Sequence, residues 1–133
     1  MWRTVISPRV SETDGVGHIN NTTIPIWLEA GRNHLFKLFN PEDTFYDWHM
    51  VIVKTTVEYK AQIYFGKDVE IHCYVNRIGN SSLELYEEIW QDNRKCIEAY
   101  TTYVNFSQEI QKSQSIPLEI KEKLKHFVRE VEK

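Results

Sequence analysis

Cysteine is scarce in this chain and basic charge is not in excess. Only Cys73 and Cys96 occur, each inside a strand-like apolar run and with no CxxC spacing. That excludes a disulfide framework or a redox pair and predicts two buried, reduced thiols. With 16 basic and 19 acidic residues the formal net charge is -3, and no clustered basic patch offers a surface to nucleic acid or to an anionic membrane. Long hydrophobic runs are missing too. Nothing approaches the ~20 apolar residues of a membrane span, and the start, Met1-Trp2-Arg3-Thr4-Val5-Ile6-Ser7-Pro8, lacks the apolar core of a signal peptide. A soluble cytosolic protein is expected, with neither nucleic acid nor membrane as partner. Several chemical signatures are likewise absent: there is no P-loop, no GxGxxG, no GxSxG elbow and no HExxH. The five histidines, His18, His34, His49, His72 and His126, show no ligand spacing with cysteines or carboxylates. No metal and no organic cofactor is expected.

What is present suits one domain over 1–133. A chain of 133 residues buries roughly two-thirds of its unfolded surface in one core. Residues 1–10 read as a short edge strand closed by Pro8, which cannot donate to a ladder. From Thr22 or Thr23 as N-cap, with Pro25 in the first turn, apolar residues fall at Ile24, Trp27, Leu28, Gly31, Leu35, Leu38 and Phe39. That spacing predicts a helix of about four turns ending near Asn40-Pro41. Ala30 and Gly31 are small and let its axis come close to a sheet.

After an irregular aromatic segment, Phe45-Tyr46-Asp47-Trp48, four strand-like runs follow, near 50–60, 68–78, 82–91 and 95–107. The first two alternate apolar and polar residues. Their punctuators are Gly66-Lys67, Gly79-Asn80-Ser81 and Asp92-Asn93, the last two short enough for antiparallel hairpins, so the four runs read as a meander. Ser115 as cap, Pro117 in the first turn, and Ile120, Leu124, Phe127 and Val131 on one face predict a C-terminal helix. The class is α+β, with one long helix covering one face of a curved antiparallel sheet. Open sheet edges favour a homodimer with a continuous sheet.

Between the first strand and the helix runs Glu12-Thr13-Asp14-Gly15-Val16-Gly17-His18-Ile19-Asn20-Asn21. It gathers a carboxylate, an imidazole and two carboxamides on a loop punctuated by glycine, and it ends where unpaired helical N–H groups begin. Such a cluster can hold and polarise a carbonyl, so the loop is a candidate active site. Read without further context, Asp14 is equally a turn residue before Gly15, and Asn20 and Asn21 are helix caps.

This loop, with Trp27 and Glu29-Ala30-Gly31-Arg32 after it, resembles the Asp-x-x-Gly-His-Val-Asn-Asn loop and Trp-x-Glu-x-x-Arg helix of hotdog-fold acyl-CoA thioesterases. The 4-hydroxybenzoyl-CoA thioesterase-like group is the nearest type. Glu58-Tyr59 and Phe65-Gly66-Lys67-Asp68 resemble the family's Tyr-x-x-Pro-x-x-x-Gly-Asp stretch, with Gln62 in place of the usual proline. Gly79-Asn80-Ser81-Ser82 resembles its Gly-x-Ser-Ser turn. Glu12 stands where Asp is frequent, and Val16 stands where plant acyl-carrier-protein thioesterases have Asn, so a mechanism needing that Asn does not carry over.

The resemblance implies a hotdog fold and hydrolysis of an acyl-CoA, or acyl-carrier-protein, thioester by a homodimer or homotetramer. Asp14 would attack the carbonyl or take a proton from water. Backbone N–H groups near Asn20, Asn21 and Thr22 would hold the oxyanion. His18 and Asn21 join Asp14 as candidate catalytic residues, and Asn20, Thr22, Trp27, Tyr59 and Ser82 are candidate substrate-binding residues. Phe45, Tyr46, Trp48 and Tyr64 are further pocket candidates, while Arg77, Lys60 and Lys67 are candidates for the CoA phosphates. Glu29 and Arg32, at i,i+3, are expected to form a structural salt bridge. Two other readings compete. A hotdog hydratase or dehydratase would use Asp14 with His18, although the Asn-Pro spacing of those motifs is absent. A non-catalytic acyl-thioester-binding domain would bind without turnover.

Overall fold

The structure, a computed structural model describing residues 1–42 and 48–130, runs in chain order through β1 (Trp2–Ile6), α1 (Ile24–Ala30), α2 (Asn33–Phe39), β2 (Met50–Tyr59), β3 (Val69–Ile78), β4 (Ser82–Gln91), β5 (Arg94–Ser107), β6 (Lys112–Ser113) and α3 (Leu118–Leu124). Alternation drives the strands. On β3, Val69, Ile71, Cys73 and Val75 are buried toward the helices while Glu70, His72, Tyr74 and Asn76 face outward. The sheet is antiparallel in the order β1-β3-β4-β5-β2, with β6 paired to the end of β5, and it wraps α1 and α2. This is the expected hotdog arrangement of sheet and central helix.

The four long strands are not a simple meander. β3, β4 and β5 are successive hairpin partners, whereas β2 crosses to the far edge and pairs with β5, and β1 takes the place beside β3. The connections explain the order. Asp92 and Asn93 both adopt positive φ, 52° and 60°, the backbone of a two-residue turn whose twist suits a hairpin. No such turn joins β2 to β3. Their nine-residue connection is instead bound to the loop before α1: Ile19 N–H donates to Ile63 O at 2.8 Å and Phe65 N–H to Gly17 O at 3.0 Å.

The central helix is divided at Gly31-Arg32 rather than continuous. Arg32 N–H bonds Glu29 O at 2.9 Å, an i to i−3 closure, and Arg32 has φ -93° and ψ 2°. Two contacts with the sheet force the break. A Cβ on Gly31 would lie 2.6 Å from Ile71 Cγ2, so only glycine permits the approach. Arg32 also turns inward: Nε and Nη2 donate to Glu87 Oε2 and Oε1 at 2.8 and 3.0 Å. Thr101 Oγ1 accepts from Nη2 at 2.9 Å and donates to Glu87 Oε1 at 2.6 Å. The expected Glu29–Arg32 pair is therefore replaced by Arg32–Glu87, with Arg32 and Glu87 buried and Glu29 exposed. Burial works against the guanidinium charge, but the hydrogen bonds and charge of Glu87 outweigh it and hold its pKa above the ordinary value.

The C-terminal helix is shorter than the pattern suggests. Pro117 stands at its N-cap, and the Ser115 hydroxyl donates to Asn80 Oδ1 instead of capping. Leu124 is fully buried and Phe127 stacks on Trp2 at 4.2 Å. Val131 lies outside the described residues. Both cysteines are buried and free. No helix among the described residues is long and apolar enough to cross a membrane.

Replacing a helical glycine with alanine ordinarily stabilises by about 0.5–1 kcal/mol. Gly31→Ala is expected to do the reverse and lower unfolding free energy by about 1–3 kcal/mol, because Ile71 cannot retreat; urea denaturation measures the sign. Arg32→Met should cost about 3–5 kcal/mol by leaving Glu87 buried and unpaired, and Arg32→Met with Glu87→Leu should recover most of that loss.

Candidate active site

Residues 12–20 close back on themselves as a small hairpin. Thr13 and Ile19 form an antiparallel bridge, Asp14 N–H donates to His18 O at 2.9 Å, and Asn20 N–H donates to Glu12 O at 2.8 Å. Gly15 and Gly17, at φ +92° and +86°, supply the left-handed backbone that the turn needs and that a side chain would strain. Glu12 anchors the base. Its Oε2 accepts from the Trp27 indole at 2.8 Å, and its Oε1 accepts from Arg9 N–H at 2.7 Å. Burial pushes the Glu12 carboxyl up, but hydrogen bonds from Arg9 and Trp27 more than offset this and leave its pKa below the usual carboxylate value.

A cleft of about 500 Å³ opens between this loop and the end of β2, lined by Asp14, Ile19, Asn21, Ile24, Tyr59, Lys60, Ala61, Gln62, Ile63 and Ile97. Asp14 is exposed there, its Oδ1 accepting from Val16 N–H at 3.2 Å. Tyr59 donates its hydroxyl to Asn21 O at 3.1 Å. Of the three backbone donors singled out in the sequence, two are already committed. Asn20 N–H is held by Glu12 O, and Thr22 N–H is held by Asn20 Oδ1 at 2.9 Å, which also takes the Thr22 hydroxyl at 2.8 Å. Asn21 N–H has no acceptor among the described residues.

The structure thus brings Asp14, Asn21 and Tyr59 to one cleft and leaves other candidates outside its lining. The His18 ring packs edge-on against Tyr64 with centroids 5.0 Å apart. Trp27 is in the core with its indole spent on Glu12. Ser82 starts β4, where its carbonyl accepts from Gly79 N–H. Trp48 lines a separate cavity of about 320 Å³ with Arg32 and Tyr103. Phe45 and Tyr46 lie outside the described residues. Among the cations, Lys60 borders the cleft, Lys67 is paired with Asp92 at 2.6 Å, and Arg77 is exposed on β3. Gln62, noted in the sequence only as a departure from the family's proline, and Ile63 and Ile97, not noted there, form part of the cleft. Ile97 reaches it through the register that sets it opposite Tyr59.

A profile of the thioesterase-like superfamily matches residues 8–124. The chain belongs to the thioesterase-like superfamily. Among individual relatives of this thioesterase, the uncharacterised protein YsmA of Bacillus subtilis strain 168 is 31% identical over 124 residues, 91% of this chain and 83% of that protein. A protein from Bacillus stearothermophilus, described as a predicted thioesterase, superposes with a TM-score of 0.94 at 49% identity, covering 98% of both chains. A thioesterase from Thermus thermophilus, solved with coenzyme A and zinc, shares the fold with a TM-score of 0.82 at 21% identity, over 92% of this chain and 95% of that one.

The thioesterase loop should be acid-sensitive through Glu12. A carboxylate whose pKa is lowered on folding contributes stability that is present above its unfolded value, about 4.3, and is lost as pH falls through the folded value. Unfolding free energy measured against pH should therefore fall more steeply below about pH 4.5 in the native protein than in Glu12→Gln.

Proposed function

We propose that this thioesterase hydrolyses an acyl-CoA thioester, with Asp14 as the catalytic carboxylate and Asn21 N–H as a donor to the developing oxyanion. The reading rests on one observation: the exposed Asp14 carboxylate and the uncommitted Asn21 N–H border the same cleft. Ile19, Ile24, Ile63 and Ile97 give that cleft an apolar lining for the first carbons of the acyl group. Lys60 stands at its border, where a CoA phosphate would find a positive charge. Coenzyme A in the Thermus thermophilus relative of the same fold favours CoA as the carrier.

In the reaction, the thioester C–S bond breaks as a C–O bond forms, and the sulfur leaves as the CoA thiol after taking up a proton. Asp14 either attacks the carbonyl, giving a mixed anhydride that water then opens, or removes a proton from the attacking water. Each route needs Asp14 ionised, and in each the carbonyl oxygen gains the negative charge that Asn21 N–H meets.

Release of free thiol from a panel of acyl-CoA esters tests the assignment. Asp14→Asn should lower kcat by about 10²-fold or more while leaving the thermal midpoint and CoA-ester binding near wild type. A wild type inert toward every ester, or an Asp14→Asn variant as fast as wild type, would overturn it.

A further inference from the structure

One wall of the Asp14 cleft is the connection from β2 to β3, and it is held from several sides. Lys60 N–H and Ala61 N–H both donate to Cys96 O on β5, at 2.8 and 3.2 Å. Ile63 O accepts from Ile19 N–H at 2.8 Å and Phe65 N–H donates to Gly17 O at 3.0 Å, which ties the same wall to the loop that carries Asp14. The buried Gln91 side chain grips it again: Oε1 accepts from Tyr64 N–H at 2.9 Å, and Nε2 donates to Tyr64 O at 2.8 Å and to Lys67 O at 3.0 Å. A connection bound at this many points gives up little further freedom when a ligand meets it.

Gln62 is the polar residue of that wall that the fold leaves unused. Its backbone N–H has no acceptor and its carboxamide no partner among the described residues, and its carbonyl takes only the Cys96 thiol, at 3.8 Å. The family stretch that this segment resembles has proline here, which has no N–H to give. Glutamine in its place adds to the cleft lining a backbone donor, two side-chain donors and a side-chain acceptor, at no loss of bonds within the fold.

The rest of this side of the cleft divides by chemistry. Ala61, Ile63 and Ile97 offer apolar surface, Tyr59 spends its hydroxyl on Asn21 O, and Lys60 brings a cation whose side chain can only donate. A group that needs both a donor and an acceptor finds the two together at Gln62. A hydrocarbon acyl chain has no such group. The pantetheine arm of coenzyme A has two, both amides, and the first begins two carbons from the thioester sulfur. In a cleft of about 500 Å³ that holds the carbonyl at Asp14, this amide is only a few bonds further along.

We propose that Gln62 recognises the thiol carrier and not the acyl group, its carboxamide and backbone N–H bonding the pantetheine amide nearest the thioester. The assignment rests on the acyl-CoA reading proposed above and makes Gln62 a specificity-determining residue. It acts on binding and stays clear of the reacting atoms.

Three thioesters of one acyl group, the one that wild type turns over fastest, separate the carrier from the acyl part. The coenzyme A ester has the whole arm, the N-acetylcysteamine ester keeps only the amide nearest sulfur, and the S-pentyl ester has a chain of the same length with no amide. The ratio of kcat/KM for the N-acetylcysteamine ester to that for the S-pentyl ester therefore measures that amide. Gln62→Leu, which removes the carboxamide, should lower this ratio about tenfold, the equivalent of one hydrogen bond. It should raise KM for the coenzyme A ester by a similar factor with kcat little changed. Gln62→Pro, which removes the N–H as well, should lower the ratio at least as far. A ratio that Gln62→Leu leaves unchanged would overturn the proposal, because any loss would then lie in contact with the acyl group or in the loop itself. Calorimetric binding of coenzyme A alone reads the same contact without turnover, and Gln62→Leu should raise its Kd about tenfold. Wild type that binds coenzyme A, loses affinity in Gln62→Leu and hydrolyses no ester would overturn the catalytic reading and leave the contact standing. Coenzyme A bound equally by both proteins, or by neither, would overturn the contact whatever the turnover.

Discussion

The buried ion pair between Arg32 and Glu87 fixes where the central helix lies. It sits between two apolar clusters, one containing Trp27, Leu28, Ile71, Ile89 and Ile97, the other containing Leu35, Cys73, Leu83, Leu85 and Tyr103. Leu28, Arg32 and Leu35 follow one another along the helix, and Leu85, Glu87 and Ile89 along β4, so the charges divide the core at one level. A buried pair gives little net stability against apolar residues of the same size. Its effect is on alignment: sliding the helix by one residue would leave two charges buried and unmatched, and each would cost several kcal/mol. Thr101 completes the pair by both accepting and donating.

The position of the site follows from that alignment. With Arg32 held, Gly31 lies against Ile71 and the helix breaks. The segment ahead of the break presents Trp27 inward to Glu12, which ties α1 to the start of the motif loop. Loop, helix and the connection after β2 then close on one another through Ile19, Gly17 and Phe65. Asp14 is carried on a turn anchored on both sides, and in the catalytic role proposed for it a displacement of as little as 1 Å would cost rate.

Periodicity made the strands, the central helix and the buried cysteines legible in the sequence, because alternation and 3.6-residue spacing report burial directly. Strand order was less legible. β2 reads as a strand wherever it sits, and only its lack of a hairpin turn toward β3 betrays that it crosses to the other edge. The partner of Arg32 was hidden for a related reason. Sequence spacing shows Glu29 three residues away, while Glu87 is separated by 55 residues and becomes a neighbour only through packing. In the site, the Gly-rich loop marked Asp14 and Asn21 because turn and cap chemistry is local. The cleft wall of Ile63 and Ile97 was not marked, since nothing local distinguishes a cleft isoleucine from a core one.

The turn role and the proposed chemical role of Asp14 do not compete. Oδ1 accepts from Val16 N–H at 3.2 Å, a long contact that orients the carboxylate, and Oδ2 has no partner among the described residues. One oxygen can therefore hold the side chain while the other meets substrate or water. The proposed oxyanion donors are constrained in the opposite sense. Asn20 and Thr22 have their N–H groups bound within the loop, and Pro25 has none to give. Under the proposed reading, a carbonyl approaching Asp14 would find Asn21 N–H, of the three donors Asn20, Asn21 and Thr22, the one without an acceptor among the described residues. Side-chain changes at Asn21 leave that backbone donor chemically intact, so any loss of rate they cause would arise through the position of the loop and not through removal of the oxyanion contact.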